Sequence, residues 1–89
     1  MVDNITVDLF KALADKTRLD IVRELVREES CTSCSKVSRV SSLSQPAMSH
    51  HFSKLVEAGV ILEEKEGKEK LYTLNKALLQ AKGIRPELL

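Results

Sequence analysis

At 89 residues, 43% apolar and 30% charged, the chain has the composition of one small globular domain, 1–89, and not of a disordered segment. Its longest apolar run, Val60-Ile61-Leu62, is far too short to span a bilayer, and the acidic start Val2-Asp3-Asn4 is no basic-then-apolar leader; a cytoplasmic protein without membrane contact is expected. The formal charge of +1 conceals an uneven distribution: residues 1–29 hold five Lys/Arg against seven Asp/Glu, 30–56 three against none, and 57–89 six against six.

Ile5, Leu9, Ala12 and Leu13 fall at helical spacing, with Phe10 beside them, and predict a first helix from about Asn4 to Ala14. Asp15 is a strong N-cap for a second helix, whose apolar positions Leu19, Val22, Leu25 and Val26 carry it to about Glu28. Residues 30–42 are rich in Ser and read as a linker on composition. Val37 and Val40, followed by Leu43, keep open a short helix from roughly Cys34 to Ser41, with Ser42-Leu43-Ser44 as a turn.

The next helix, about 44–58, has two chemically distinct faces. Ser44 suits its N-cap and Pro46 its first turn, where no backbone N–H is missed. Met48, Phe52, Leu55 and Val56 recur at i, i+4, i+7, i+8 and are expected to bury one side, while Gln45, Ala47, Ser49, His50 and Lys54 project elsewhere. That projecting set lies in the acid-free third of the chain and suits base edges and phosphates: an amide pairs with adenine, Ser or Lys reaches bases or backbone, and Ala47 can meet a thymine methyl. The aromatic residues are only Phe10, Phe52 and Tyr72, which argues against a binder of single strands or RNA loops that stacks unpaired bases.

Gly59 fits the position just past a helix C-cap. Beyond it, Ile61 to Lys65 and Glu69 to Leu74 flank Glu66-Gly67-Lys68, a hairpin signal. Lys65, Lys68 and Lys70 near its tip can touch phosphates, although Glu63, Glu64, Glu66 and Glu69 alternate with them; a solvated hairpin is the plainer alternative. A last helix, capped by Asn75 and running through Leu78, Leu79 and Ala81 to Gly83, precedes a loose Arg85-Pro86 tail. The fold class is therefore mainly α with a small β-hairpin, in the order α-α-α-α-β-β-α.

Three segments carry a family resemblance. Phe10-Lys11-Ala12-Leu13-Ala14-Asp15-Lys16-Thr17-Arg18-Leu19, the helix Leu43-Ser44-Gln45-Pro46-Ala47-Met48-Ser49-His50-His51-Phe52 and the exit Glu57-Ala58-Gly59-Val60-Ile61 resemble, in order and spacing, the ArsR-type family of winged helix-turn-helix repressors. The resemblance covers roughly residues 5 to 75. It implies a homodimeric regulator paired through its first and last helices, for which an otherwise exposed stripe of Ile5, Leu9, Leu78 and Leu79 is suited. Its recognition helices would enter successive major grooves of an inverted-repeat operator in double-stranded DNA. It also implies that His51 packs against or buttresses the helix; Arg39 and Lys54, both in the acid-free third, are expected on phosphates. Lys16 stands where the family often has proline, and Val37-Ser38-Arg39-Val40-Ser41-Ser42 departs from the family's usual pattern in the supporting helix.

Cys31 and Cys34 admit several readings. Zinc held with His50 and His51 is disfavoured, because adjacent helical residues point about 100° apart and cannot share a face. A thiol sensor for soft metals or oxidants is open, as are two free structural cysteines. Against sensing by the family's usual residues, counting back from Leu43 puts Ser33 and Ser35 where its Cys-x-Cys pair stands, and 75–83 lacks acids and His. No cofactor is expected. Nor is an enzyme, since the cysteines follow helices, and no Gly-rich phosphate loop or catalytic triad is present. A winged-helix module that docks another protein remains the alternative to a DNA binder.

Overall fold

The computed structural model describes residues 4–27, 32–33 and 45–89. Helix α1 spans Asn4–Leu13 and α2 spans Lys16–Arg27. The break between them is set by Asp15, whose Oδ1 accepts from the Arg18 amide at 3.0 Å while its carbonyl accepts from Leu19 at 2.9 Å. This is the expected N-cap, and it satisfies an amide with no partner inside the helix. The short helix expected over Cys34 to Ser41, the turn Ser42 to Ser44, and Glu28 at the expected end of α2 lie outside the described residues.

Helix α3, Gln45–Glu57, matches the expected recognition helix. Its end is a Schellman motif: Gly59 N–H donates to the Val56 carbonyl at 3.0 Å and Val60 N–H to the Leu55 carbonyl at 3.0 Å. Gly59 takes φ +79°, the left-handed region that a side chain disfavours. Val60 and Leu55, the positions whose apolar contact accompanies this motif, are both fully buried.

Strands β2 (Ile61–Glu66) and β3 (Glu69–Leu74) form the hairpin, paired from Ile61 with Leu74 to Glu66 with Glu69. Gly67 has φ +62° and Lys68 does not share a positive φ, the pattern of a type II′ turn, whose twist matches that of the strands. A strand not anticipated from the sequence, β1 (Thr32–Ser33), pairs antiparallel with β3 opposite Tyr72 and Leu71, so the sheet order is β1-β3-β2. β3 is thereby the central strand.

Asn75 caps α4, Lys76–Ala81, by accepting from the Leu78 amide at 3.3 Å. The remaining chain departs from expectation. The Arg85-Pro86 segment is no loose tail, because Pro86–Leu88 form a 3-10 turn that packs against α2.

One core joins these elements, centred on Leu9, Ile21, Met48, Phe52, Leu55, Ile61 and Leu79. This corrects the proposed exposed stripe: Leu9 and Leu79 are 0% exposed and Leu78 is partly buried, which leaves Ile5, at 59%, as the exposed member. Periodicity identified an apolar face on each helix, but both faces turn inward onto the same subunit's core. Among the described residues, no helix is long and apolar enough to cross a membrane.

Candidate nucleic-acid interface

The inner face of α3 is fixed by burial. Met48, Phe52 and Leu55 are each at most 1% exposed, Val56 packs partly against them, and the Phe52 ring lies 4.5 Å from that of Tyr72. With that side anchored on the core, Ser49, His50 and Lys54 are exposed, as expected, whereas Ala47 is half-buried. Pro46 and Ser53 are exposed as well. Ser53, three residues after His50, shares its outward face and was not singled out from the sequence. The Lys54 ammonium sits 3.9 Å from Glu57, the first acid of the helix, in a weak exposed pair that leaves it available to a phosphate. Gln45 opens α3, and its side chain, like Ser44, Arg39, Cys31 and Cys34, lies outside what the structure describes.

His51 is tucked at the flank of α3 with 19% of its side chain exposed. Its Nδ1 lies 3.3 Å from an Arg18 guanidinium nitrogen, and the Arg18 Nε donates to the Ala12 carbonyl at 2.6 Å. The buttressing role implied for His51 thus has a partner, Arg18, that local sequence patterns do not reveal. Asp15 stands beside this pair. Its carboxyl is held below the usual aspartate range, chiefly by the Arg18 backbone N–H and further by the Arg18 positive charge, against partial burial that acts the other way. Because the folded pKa is depressed, the stabilisation is present at neutral pH and is lost as pH falls through the folded value. Asp15→Asn keeps an acceptor but removes the charge. Its stability deficit, measured by denaturant unfolding at a series of pH values, is expected to be constant near neutrality and to close below about pH 4.

The wing resolves its own charge alternation. Strand geometry puts Glu63, Lys65, Lys70 and Tyr72 on the face that continues from buried Ile61 and Leu74, and Glu64, Glu66, Glu69 and Leu71 on the opposite face. Lysines opposite each other at 65 and 70 therefore gather on one side, and glutamates opposite each other at 66 and 69 on the other. Lys70 pairs with Glu63 at 3.5 Å, and the Tyr72 hydroxyl donates to the same carboxylate at 3.3 Å. Residues that interleave along the chain are thus partly sorted, Lys65 and Lys70 with Glu63 on one face and Glu64, Glu66 and Glu69 on the other. Lys68 lies in the exposed turn between them.

Among the described residues, no group of three or more His, Cys, Asp or Glu is placed to hold a metal ion. The rings of His50 and His51 are 5.9 Å apart and inclined by 65°.

Comparison with known proteins agrees with this geometry. Residues 13–64 match a family model described as a helix-turn-helix domain. The arsenical resistance operon repressor of Escherichia coli (strain K12) is 40% identical over 72 residues, covering 78% of this chain and 58% of that protein. The transcriptional repressor SdpR of Bacillus subtilis (strain 168) is 33% identical over 73 residues, covering 82% of this chain and 79% of that one. Among solved structures, HlyU from Vibrio cholerae N16961 superposes with a TM-score of 0.80 at 32% identity, over 99% of this chain and 92% of its own. An outward polar helix seated on a shared core, a hairpin that gathers two lysines on one face and these likenesses agree: the chain belongs to the ArsR-type family of winged helix-turn-helix transcriptional repressors.

Proposed function

We propose that the chain acts as a homodimeric repressor, with α3 of each subunit in the major groove of one half of an inverted-repeat operator. The observation that carries this reading is the division of α3 into a buried side and an outward side on which Ser49, His50, Ser53 and Lys54 precede any acid. Gln45, Ser49 and His50 are assigned to base edges, with Ala47 at a thymine methyl. Ser44, Lys54, Arg39 and the wing lysines Lys65, Lys68 and Lys70 are assigned to phosphates. Two-fold symmetry sets the half-sites about one helical turn apart. Pairing through α1 is supported by Ile5, Val7 and Phe10, which stay 59%, 37% and 54% exposed on a single short helix.

Selecting bound duplexes from a random pool and measuring affinity against salt tests this reading. A steep logarithmic salt slope and an inverted-repeat consensus are expected, and a flat slope would transfer the face to a protein partner. On the selected duplex, His50→Ala or Gln45→Ala is expected to cost about 1–3 kcal/mol and to relax preference at one base pair. Lys68→Ala should instead weaken every sequence alike and reduce the salt slope by about one unit. Equal losses on selected and random duplex from His50→Ala would remove that residue from base reading.

A further inference from the structure

Arg18 reaches two other helices from the first turn of α2. Its Nε donates to the Ala12 carbonyl in the last turn of α1 at 2.6 Å, and a second guanidinium nitrogen lies 3.3 Å from His51 Nδ1 on α3. A guanidinium has donors and no acceptor, so the imidazole nitrogen accepts. In this contact His51 therefore presents Nδ1 as the acceptor, with its ring proton on Nε2. The neighbouring carboxylate oxygen of Asp15 is 3.9 Å from the same nitrogen, beyond hydrogen-bond range, and is engaged by the Arg18 amide.

The buried contact between α3 and the core is apolar, through Met48, Phe52 and Leu55. Apolar burial fixes which side of α3 faces the core, but it is non-directional and leaves the fine selection of one rotation about the helix axis to directional contacts. Reading a base edge demands that selection, since its hydrogen bonds tolerate only a narrow range of distance and angle. Among the described residues, a directional bond that ties α3 to the α1–α2 corner is made at His51, one residue after the outward-facing His50.

We propose that Arg18 is a positioning residue for the DNA-reading helix: by donating at once to the Ala12 carbonyl and to His51 Nδ1, it sets the rotation of α3 and hence where Ser49, His50 and Lys54 stand. This rests on the base-reading role of α3 given above. It demands an acceptor at residue 51 and a forked donor at residue 18.

Two substitutions separate that demand from mere packing. Asn and Leu both branch at Cγ, but Asn places an oxygen where Nδ1 stood and Leu places a methyl. His51→Leu is expected to raise the Kd for the selected duplex about tenfold while leaving random duplex within about twofold, and His51→Asn to recover to within about threefold. Arg18→Lys keeps the charge but loses the planar fork, and is expected to behave as His51→Leu does. Nitrogen NMR of the DNA-free protein at neutral pH supplies a readout independent of operator choice: His51 Nδ1 should resonate as an unprotonated acceptor. A proton on Nδ1, or equal losses for His51→Leu and His51→Asn in a protein that still discriminates duplexes, overturns the positioning role alone. A wild-type protein that discriminates no duplex overturns the base-reading role and this proposal with it.

Discussion

Phe52→Ala is expected to cost about 3–5 kcal/mol of folding stability, more than any substitution on the outward side of α3. The ring is 0% exposed and lies 4.5 Å from Tyr72 at an interplanar angle of 45°, so it ties the reading helix to the central strand of the sheet. A chain of 89 residues has roughly 4–13 kcal/mol to lose, at about 0.05–0.15 kcal/mol per residue. Truncation therefore removes roughly a quarter or more of it and is expected to abolish DNA binding near the lowered unfolding transition. Denaturant unfolding measures the loss directly. A cost below about 1 kcal/mol would mean that the ring is not packed in the core. Phe52→Leu, which retains much of the buried volume, should lose less.

Gly59→Ala should be the next most damaging change, at about 2–4 kcal/mol, although it adds only a methyl group. Two effects combine. The φ of +79° penalises any side chain, and a Cβ built there stands 3.0 Å from Leu78 Cδ2. Relief would require Leu78 to shift, and that side chain is itself packed against the core. A midpoint lowered by roughly 8–32 °C in thermal unfolding is the expected result, at about 4–8 °C per kcal/mol for a domain of this size. A midpoint unchanged within about 2 °C would show that the turn can relax into another conformation.

Much of this architecture was legible because short-range chemistry specifies it. Asp15 and Asn75 cap the helices that follow them, Gly59 ends α3, and the spacing of Met48, Phe52 and Leu55 identifies the buried side correctly. What escaped needed long-range information. β1 is two residues long, and only its pairing with β3 makes it a strand. Arg18 and His51 are separated by 33 positions, so neither suggests the other in a local pattern. Leu9 and Leu79 suit a subunit contact on spacing alone, because periodicity cannot say which apolar face meets its own core and which meets a second copy. In the wing, the alternation of Lys and Glu looks like charge balance until the strand register gathers Lys65 and Lys70 on one face and Glu64, Glu66 and Glu69 on the other. The outward chemistry of α3 was readable from residue types, while the contact that orients the helix was not.

Asn75 does more than begin a helix. Its side-chain amide donates to the Gly59 carbonyl at 2.9 Å, its side-chain oxygen accepts from the Leu78 amide, and its own backbone N–H donates to the Val60 carbonyl at 3.0 Å. The exit of α3 and the entry of α4 are thus riveted together across the base of the hairpin, with no slack segment between them. With these three hydrogen bonds converging on one residue, the trailing end of α3 and the start of α4 are expected to move together rather than independently.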